Sequence, residues 1–393
     1  MKEYRELCLS IQAAAVFKNV KNDETVRLLL RLLSADCSSD EIIGLYGDFA
    51  ASLYRFGDDL PLYIAGLLLK DENAFVKSAA KGEASPVMKA ACENELKAFS
   101  ALAEITSVEL KEKIKTDIPL PDWTNRPLDI AGEYENKIKS ISLTGYGIYA
   151  QYRMFLFKNG EVVPVKYPDP QRLSQMKGYE NERQRVIDNT LALLHGKPCC
   201  NTLLYGDAGS GKSSTVKAIV NEYYPMGLRL VEIKKNQLYS LPELLDILAD
   251  NPLKFIIFID DLSFSAADSD FGALKAVIEG GAAGKHGNTV IYATSNRRNL
   301  VKESFGDRNG DDIHIQDTVQ EITSLSARFG LKVTFTRPDK DLYLAIAEKL
   351  AGDYNIEKDT EELYREAEAF ALRNGGRSPR TAKQFIEFLA SKK

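Results

Sequence analysis

The chain is poor in the residues that build metal and disulfide frameworks. Its 393 residues include 3 histidines, 5 cysteines and a single tryptophan. His195, His286 and His314 form no ligand cluster. Cys8, Cys37, Cys92, Cys199 and Cys200 are scattered, and the adjacent Cys199-Cys200 pair lacks C-x-x-C spacing and a nearby second pair. A zinc or disulfide scaffold is therefore not expected, and the cysteines read as reduced thiols of a cytoplasmic protein. An excess of base is also missing. The net charge is −5 and the pI about 5.6, which argues against a broad nucleic-acid-binding face and leaves room only for a local patch. No apolar run reaches the ~18 residues of a membrane span. The opening MKEYRELCLSIQ carries acids where a signal peptide would not.

What is there is ordinary for a globular protein, with 44% hydrophobic and 27% charged residues. The length suggests two to three domains. One stretch stands out, NTLLYGDAGSGKSSTVKAIV at 201–220. Thr202 to Tyr205 read as the end of a buried strand. Gly206, Asp207, Ala208, Gly209, Ser210, Gly211, Lys212 and Ser213 match G-x-x-x-x-G-K-[ST] without a gap, and Ser214 to Val220 continue as a helix. The chemistry explains the residue types. The glycines let backbone N–H groups close on phosphate oxygens, and the following helix presents its positive dipole end to them. In that pattern Lys212 reaches the β- and γ-phosphates and the Ser213 hydroxyl binds Mg²⁺.

Around this core the chain reads in blocks. Residues 1–115 are expected to form a helical domain. A helix starts at Asn22-Asp23 before Val26, Leu29 and Leu33, and Ser39 caps a second that carries Ile42, Tyr46, Phe49 and Leu53. This block is slightly acidic, so it reads as an interaction domain rather than a DNA-binding one. Residues 116–172 are expected to be a linker, proline-rich over 116–140 and containing Trp123, followed by a β-hairpin. Asn159-Gly160 between apolar runs is the hairpin signal. Over 173–337, the apolar runs Thr202–Tyr205, Leu228–Ile233, Phe255–Ile259, Thr289–Ala293 and Leu331–Phe335 alternate with helical segments, which predicts a parallel sheet covered on both faces. Residues 338–393 turn helical again.

A phosphate loop needs a carboxylate for the metal and a group to organise the attacking water. The strand FIIFI ends in Asp260 and Asp261, which supply both in outline: Asp260 for Mg²⁺ and Asp261 for the water. Another apolar strand ends at Asn296, which would hydrogen-bond the γ-phosphate or the water. Arg328 stands alone between small and apolar residues. Arg380 sits in the first turn of the last helix behind Ser378 and Pro379. A cation there is unfavourable for the helix itself and makes sense beside an anion. No [NT]-K-x-D stretch is present to read guanine, so adenine is the expected base.

In the order of these residues the chain resembles an AAA+ ATPase over about residues 173–393. GDAGSGKS looks like its Walker A motif, FIIFIDD its Walker B, Asn296 its sensor 1, Arg328 its arginine finger and Arg380 its sensor 2. Within AAA+ it is most similar to an uncharacterised bacterial ATP-binding family, on the stretches GYENERQRVIDNT, FIDDLSF, YATSNRRNLV and SLSARFGL. The resemblance implies a five-stranded sheet and a helical lid. It also implies adenine held between the Gly178-Tyr179 segment and the lid, a ring or helical homo-oligomer, and an Arg328 that serves the neighbour's nucleotide. Two positions depart from the pattern: Asp261 replaces the usual glutamate, and Ala327 stands where an acid is common.

Two function classes follow. One is an ATPase that binds and hydrolyses Mg-ATP to remodel or load a protein or nucleic-acid partner. The other is an ATP-dependent assembly switch with little turnover, which the short Asp261 favours. A small-molecule P-loop kinase would leave Arg328 and the lid idle. Tyr239 lacks the glycine of a threading loop, and Lys234, Lys235, Arg297, Arg298 and Lys302 read either as a nucleic-acid path or as solvated charge.

Overall fold

The computed structural model describes residues 4–35, 41–262, 274, 277–278, 287–296 and 327–392. The expected cap Ser39, the basic residues Arg297, Arg298 and Lys302, and the Ser324-Leu325-Ser326 run before Arg328 lie outside the described residues. The chain divides into two compact units, Met1–Gln151 and Tyr152–Lys393.

The first unit is helical: α1 (Arg5–Gln12), α2 (Lys18–Lys21), α3 (Glu24–Ser34), α4 (Glu41–Tyr54), α5 (Leu60–Lys70), α6 (Ala74–Ala80), α7 (Pro86–Ala103), α8 (Ser107–Ile114), α9 (Ile130–Lys139), α10 (Ile141–Thr144) and α11 (Ile148–Gln151). Side-chain caps set several of the starts. Asp23 accepts from the N–H groups of Thr25 and Val26, Asp59 from Leu62, Ser85 from Met88 and Thr106 from Glu109. The apolar faces of α3 and α4 meet in one core with Phe17, Phe99 and Leu102. The stretch read as a linker, 116–140, is built into that core. The Trp123 ring packs on Phe49 at 5.0 Å and Tyr46 at 5.4 Å, and its Nε1–H donates to the Ile105 carbonyl at 3.1 Å. Ile130 and Tyr134 are buried beside it. Prolines keep 119–127 extended, so its apolar anchors follow no period, and a burying segment looked like a spacer. Two short helices, α10 and α11, lie ahead of the hairpin.

The second unit is a seven-stranded sheet: β1 (Met154–Lys158), β2 (Glu161–Pro164), β3 (Thr202–Gly206), β4 (Leu228–Glu232), β5 (Lys254–Ile259), β6 (Thr289–Ser295) and β7 (Leu331–Phe335). The spatial order is β2-β1-β4-β5-β6-β3-β7, and every pairing is parallel except β1 with β2. The five expected strands form one continuous block. The hairpin adds two more strands at its edge by pairing β1 with β4. Asn159 and Gly160 turn it at φ 52 and 80, the doubly positive geometry that Asn-Gly supports. Before β3 runs α12 (Glu180–Leu194). After it comes α13 (Lys212–Tyr223), and α14 (Leu241–Ala249) joins β4 to β5. The β3-to-β4 and β4-to-β5 crossovers run in opposite directions across the sheet, so right-handed connections place α13 and α14 on opposite faces. The burial of β5 from Phe255 through Ile259 agrees with two covered faces.

Three helices close the unit: α15 (Lys340–Asp353), α16 (Thr360–Arg373) and α17 (Pro379–Ala390). They bury a small core of their own, including Tyr343, Ala347, Ala367, Phe385 and Ile386. Ser378 caps α17 by accepting from Thr381 N–H, with Pro379 in the first turn. No described helix is long and apolar enough to cross a membrane.

Candidate functional site

In an open parallel sheet, ligands collect beyond the carboxyl ends of the strands. Register decides which side chains meet there. Tyr205 of β3 pairs with Ser295 of β6, and Ile259 of β5 pairs with Ala293 of β6. One step further along, Gly206 comes level with Asn296, and Asp260 with Thr294. The phosphate loop, the two acids and the asparagine, distant in sequence, thus converge because three strands share one alignment.

The loop itself is shaped by glycine. Gly206, Gly209 and Gly211 have φ of 134, 76 and 92. A Cβ on Gly206 would lie 2.1 Å from the Phe335 carbonyl oxygen, and one on Gly209 would lie 3.1 Å from Arg380 Cβ. Asp207 N–H donates to that same Phe335 carbonyl at 3.1 Å, and the Asp207 carboxylate accepts from Arg337 N–H at 2.7 Å. Ser210 Oγ donates to the Asp207 carbonyl at 2.8 Å, while Ala208 is exposed at the tip. Lys212 is almost buried. Its ammonium donates to the carbonyls of Gly206 (2.9 Å) and Asp207 (2.7 Å) and to Asn296 Oδ1 (3.0 Å). Burial pulls its pKa below the ordinary lysine value, against the opposing pull of Asp207, Asp260 and Asp261.

The acids sit opposite. Ser213 Oγ donates to Asp260 Oδ1 at 2.6 Å, and Thr294 Oγ1 donates to the same oxygen at 2.5 Å. Asp261 takes a left-handed backbone, φ 53. Its N–H donates to Thr294 Oγ1 at 2.9 Å, and its carboxylate accepts from Asn296 Nδ2 at 2.8 Å. Asn296 therefore bridges Lys212 to Asp261.

Gly178 and Tyr179 enter α12 at φ 81 and 59. The Tyr179 ring packs at a tilt against Phe335, centroids 5.4 Å apart, and its hydroxyl donates to the Thr336 carbonyl at 2.6 Å. Arg183, buried one turn on, donates to the carbonyls of Gly178 and Met176. Together these contacts lock the segment to the end of β7. A cleft of about 580 Å³ opens above the loop, lined by Gly209 through Thr215, Asp260, Asp261, Asn296 and Tyr179. On its far side lie Met176, Ile346, Leu350 and Arg380. That volume is in the range of small-molecule sites. Arg380 N–H donates to the Gly209 carbonyl at 3.2 Å, docking α17 on the loop.

Of the sequence-predicted residues, Tyr179, Gly209, Ser210, Gly211, Lys212, Ser213, Ser214, Asp260, Asp261, Asn296 and Arg380 share this cleft. Gly178, Gly206, Asp207 and Ala208 shape its edge. Arg328, half-buried, does not line it. The residues the sequence did not single out are Thr294, Met176, Arg183, Ile346 and Leu350. Arg183 reads as a surface charge in an amphipathic helix, and Thr294 as an ordinary strand residue.

The residues fit a nucleotide with a hard cation. The positive-φ glycines give the loop the turned backbone that a phosphate cradle needs, and Ser213 and Asp260 offer the oxygen donors that Mg²⁺ takes beside its waters. Among the described residues no cluster of three or more His, Cys, Asp or Glu offers a protein-only metal cage.

A search among curated proteins finds no match. Among solved structures the chain is similar to Thermotoga maritima RuvB, the Holliday junction branch migration motor. Identity is 16% over 56% of this chain and 63% of that one, with a TM-score of 0.37. One point variant of that protein matches at 17% identity over 56% and 63%, TM-score 0.37, and another at 16% over 56% and 64%, TM-score 0.38. The chain spans less than two thirds of those structures, and a likeness so slight carries no statement about what this chain acts on. The mostly parallel sheet, the phosphate loop between β3 and α13 and the closing helices make an α/β P-loop fold by their own geometry. The profile of the family described as "Protein of unknown function (DUF815)" matches residues 150–393, well over half the chain, and the chain belongs to that family.

Proposed function

We propose that this protein is an AAA+ ATPase that binds and hydrolyses Mg-ATP and couples the cycle to remodelling or loading a protein or nucleic-acid partner. The observation that carries the reading is the bridge from Lys212 through Asn296 to Asp261, beside the Ser213–Asp260 pair, at the mouth of one cleft. Mg-ATP supplies the electrophilic phosphorus and a cation that neutralises phosphate charge. The chain's residues do the rest. Backbone N–H groups of Gly209 to Ser213 and the N-terminus of α13 receive phosphate oxygens. Lys212 is a point charge on them. Ser213 and Asp260 hold the cation. Asp261, oriented by Asn296, takes a proton from the attacking water. Arg380 adds a cation from the lid formed by 338–393. Met176, Tyr179, Ile346 and Leu350 receive the base, adenine by preference. Arg328, away from its own cleft, serves a neighbouring copy in a ring or helical homo-oligomer. In this reading the helical unit recognises the partner and the protein works in the cytoplasm.

The test is calorimetry and phosphate release with the purified protein. The parent should bind ATP and release phosphate only with Mg²⁺, and Lys212→Ala should lose binding. A parent that binds no ATP overturns the reading. An assembly switch with little turnover is the second reading. It is favoured by the short Asp261 side chain, already engaged by Asn296. Tight ATP binding with ATP-dependent assembly and negligible phosphate release would select it.

A further inference from the structure

Thr294 is buried at 2% exposure on β6, one step past the Ile259–Ala293 pair and so level with Asp260, which follows β5. A buried hydroxyl must be satisfied, and this one is satisfied in a single way. The Asp261 N–H is a donor only, so Thr294 Oγ1 accepts from it at 2.9 Å. Its own proton therefore goes to Asp260 Oδ1, at 2.5 Å. The hydroxyl thereby touches both acids in different senses. On Asp260 it joins Ser213 at the same carboxylate oxygen, so both hydroxyls occupy Oδ1 and fix the plane of the group. That orientation leaves Oδ2 without a protein donor among the described residues. On Asp261 it holds the amide of a residue whose backbone is left-handed. That backbone carries the Asp261 carboxylate to Asn296. A valine would keep the shape, suit the strand and lose both contacts.

We propose that Thr294 is the positioning residue of this centre: one hydroxyl that sets Asp260 for the cation and holds Asp261 in its turned conformation for the water. The inference rests on the proposed ATPase reading and adds a residue to it. Thr294 acts through the two acids.

The experiment compares Thr294→Val, Thr294→Ala and Thr294→Ser with the parent. It measures kcat and KM for ATP, the Mg²⁺ concentration for half-activation, and ATP affinity by calorimetry with and without Mg²⁺. Thr294→Val and Thr294→Ala should lower kcat about ten- to a hundredfold, in line with the loss of a hydrogen bond to a charged group, with KM changed less than threefold. Both should raise the half-activating Mg²⁺ concentration and shrink the gain in ATP affinity that Mg²⁺ brings. Thr294→Ser, which keeps the hydroxyl, should stay within threefold of the parent on every measure. If the valine variant does not fold, the smaller alanine reads the same loss. A Thr294→Ala with the parent's kcat and the parent's Mg²⁺ gain overturns the role of Thr294 alone, as does a serine variant as impaired as alanine. A parent that binds ATP equally with and without Mg²⁺ overturns the role too. A parent that binds no ATP overturns the ATPase reading and this inference together.

Discussion

At the scale of single residues, the two acids after β5 have different surroundings and should have separable effects. Asp260 gathers two hydroxyls on one oxygen, whereas the Asp261 carboxylate accepts from the asparagine side chain and its amide is held by the threonine. Asp260→Ala is therefore expected to abolish Mg²⁺-dependent turnover. Asp261→Ala should keep ATP affinity within severalfold of the parent and lose phosphate release by about a hundredfold or more, the scale of a general base. Calorimetry beside a phosphate assay checks both. A second residue-scale prediction lies in the helical unit. Lys137 is 9% exposed on α9, and burial pulls its pKa from 10.5 down to about 8. A lysine with a lowered folded value binds fewer protons when folded, so stability rises with pH between about 8 and 10.5 and is lower below that window. Lys137→Met should remove this rise and stabilise the protein near pH 7 by roughly 1–3 kcal/mol, read from urea titrations across that range. Most of the site was legible at this scale, because the phosphate loop is contiguous and the two acids are adjacent. Thr294 was not, since its importance comes from the register of β6 against β5, which no local pattern displays.

At the scale of elements, the strand–loop–helix of β3 and α13 was legible from Thr202 to Val220, and the Asn159-Gly160 hairpin from its turn. The apolar residues lining the cleft were not. Met176 precedes α12 while Ile346 and Leu350 lie on α15, and only the folded sheet makes them neighbours. The segment around Trp123 was misread because extended chain anchored by isolated aromatics has no period to detect. Gly206 shows a second reason for a residue the motif had already explained. Beyond its place in the motif, it lets the loop pass the end of β7, with the Phe335 carbonyl 2.1 Å from where a Cβ would stand. Backbone cannot rotate aside as a side chain can, and φ 134 is itself foreign to an L-residue. Gly206→Ala should cost about 3 kcal/mol or more, the sum of backbone strain and overpacking. The denaturation midpoint should fall, and ATP binding should weaken with it. Wild-type stability with the alanine in place would mean β7 and the loop are not held together as described.

At the scale of the whole molecule, the placement of Arg328 makes the strongest prediction. It belongs to the stretch before β7 and does not line the cleft that Arg380 lines. Arg328→Ala should bind ATP as the parent does and lose on the order of 10³ in rate or more, the scale of an arginine supplied to a phosphoryl-transfer site. Mixed with Lys212→Ala, it should recover part of the activity, because each partner carries what the other lacks. Arg380→Ala should show no such rescue. Phosphate release against mixing ratio, with sedimentation in ATP, decides it, and a monomer without rescue at any ratio removes both the finger and the ring. How copies meet is further constrained by the way the sheet ends. One of its two edge strands, β2, has only four residues, begins with Glu161 and closes on Pro164, which has no N–H to offer. An edge so short, charged at one end and blocked at the other, is a poor template for a foreign strand. Concentrated protein should therefore not seed cross-β fibres from this border, and crowded copies can touch repeatedly without their backbones zipping together.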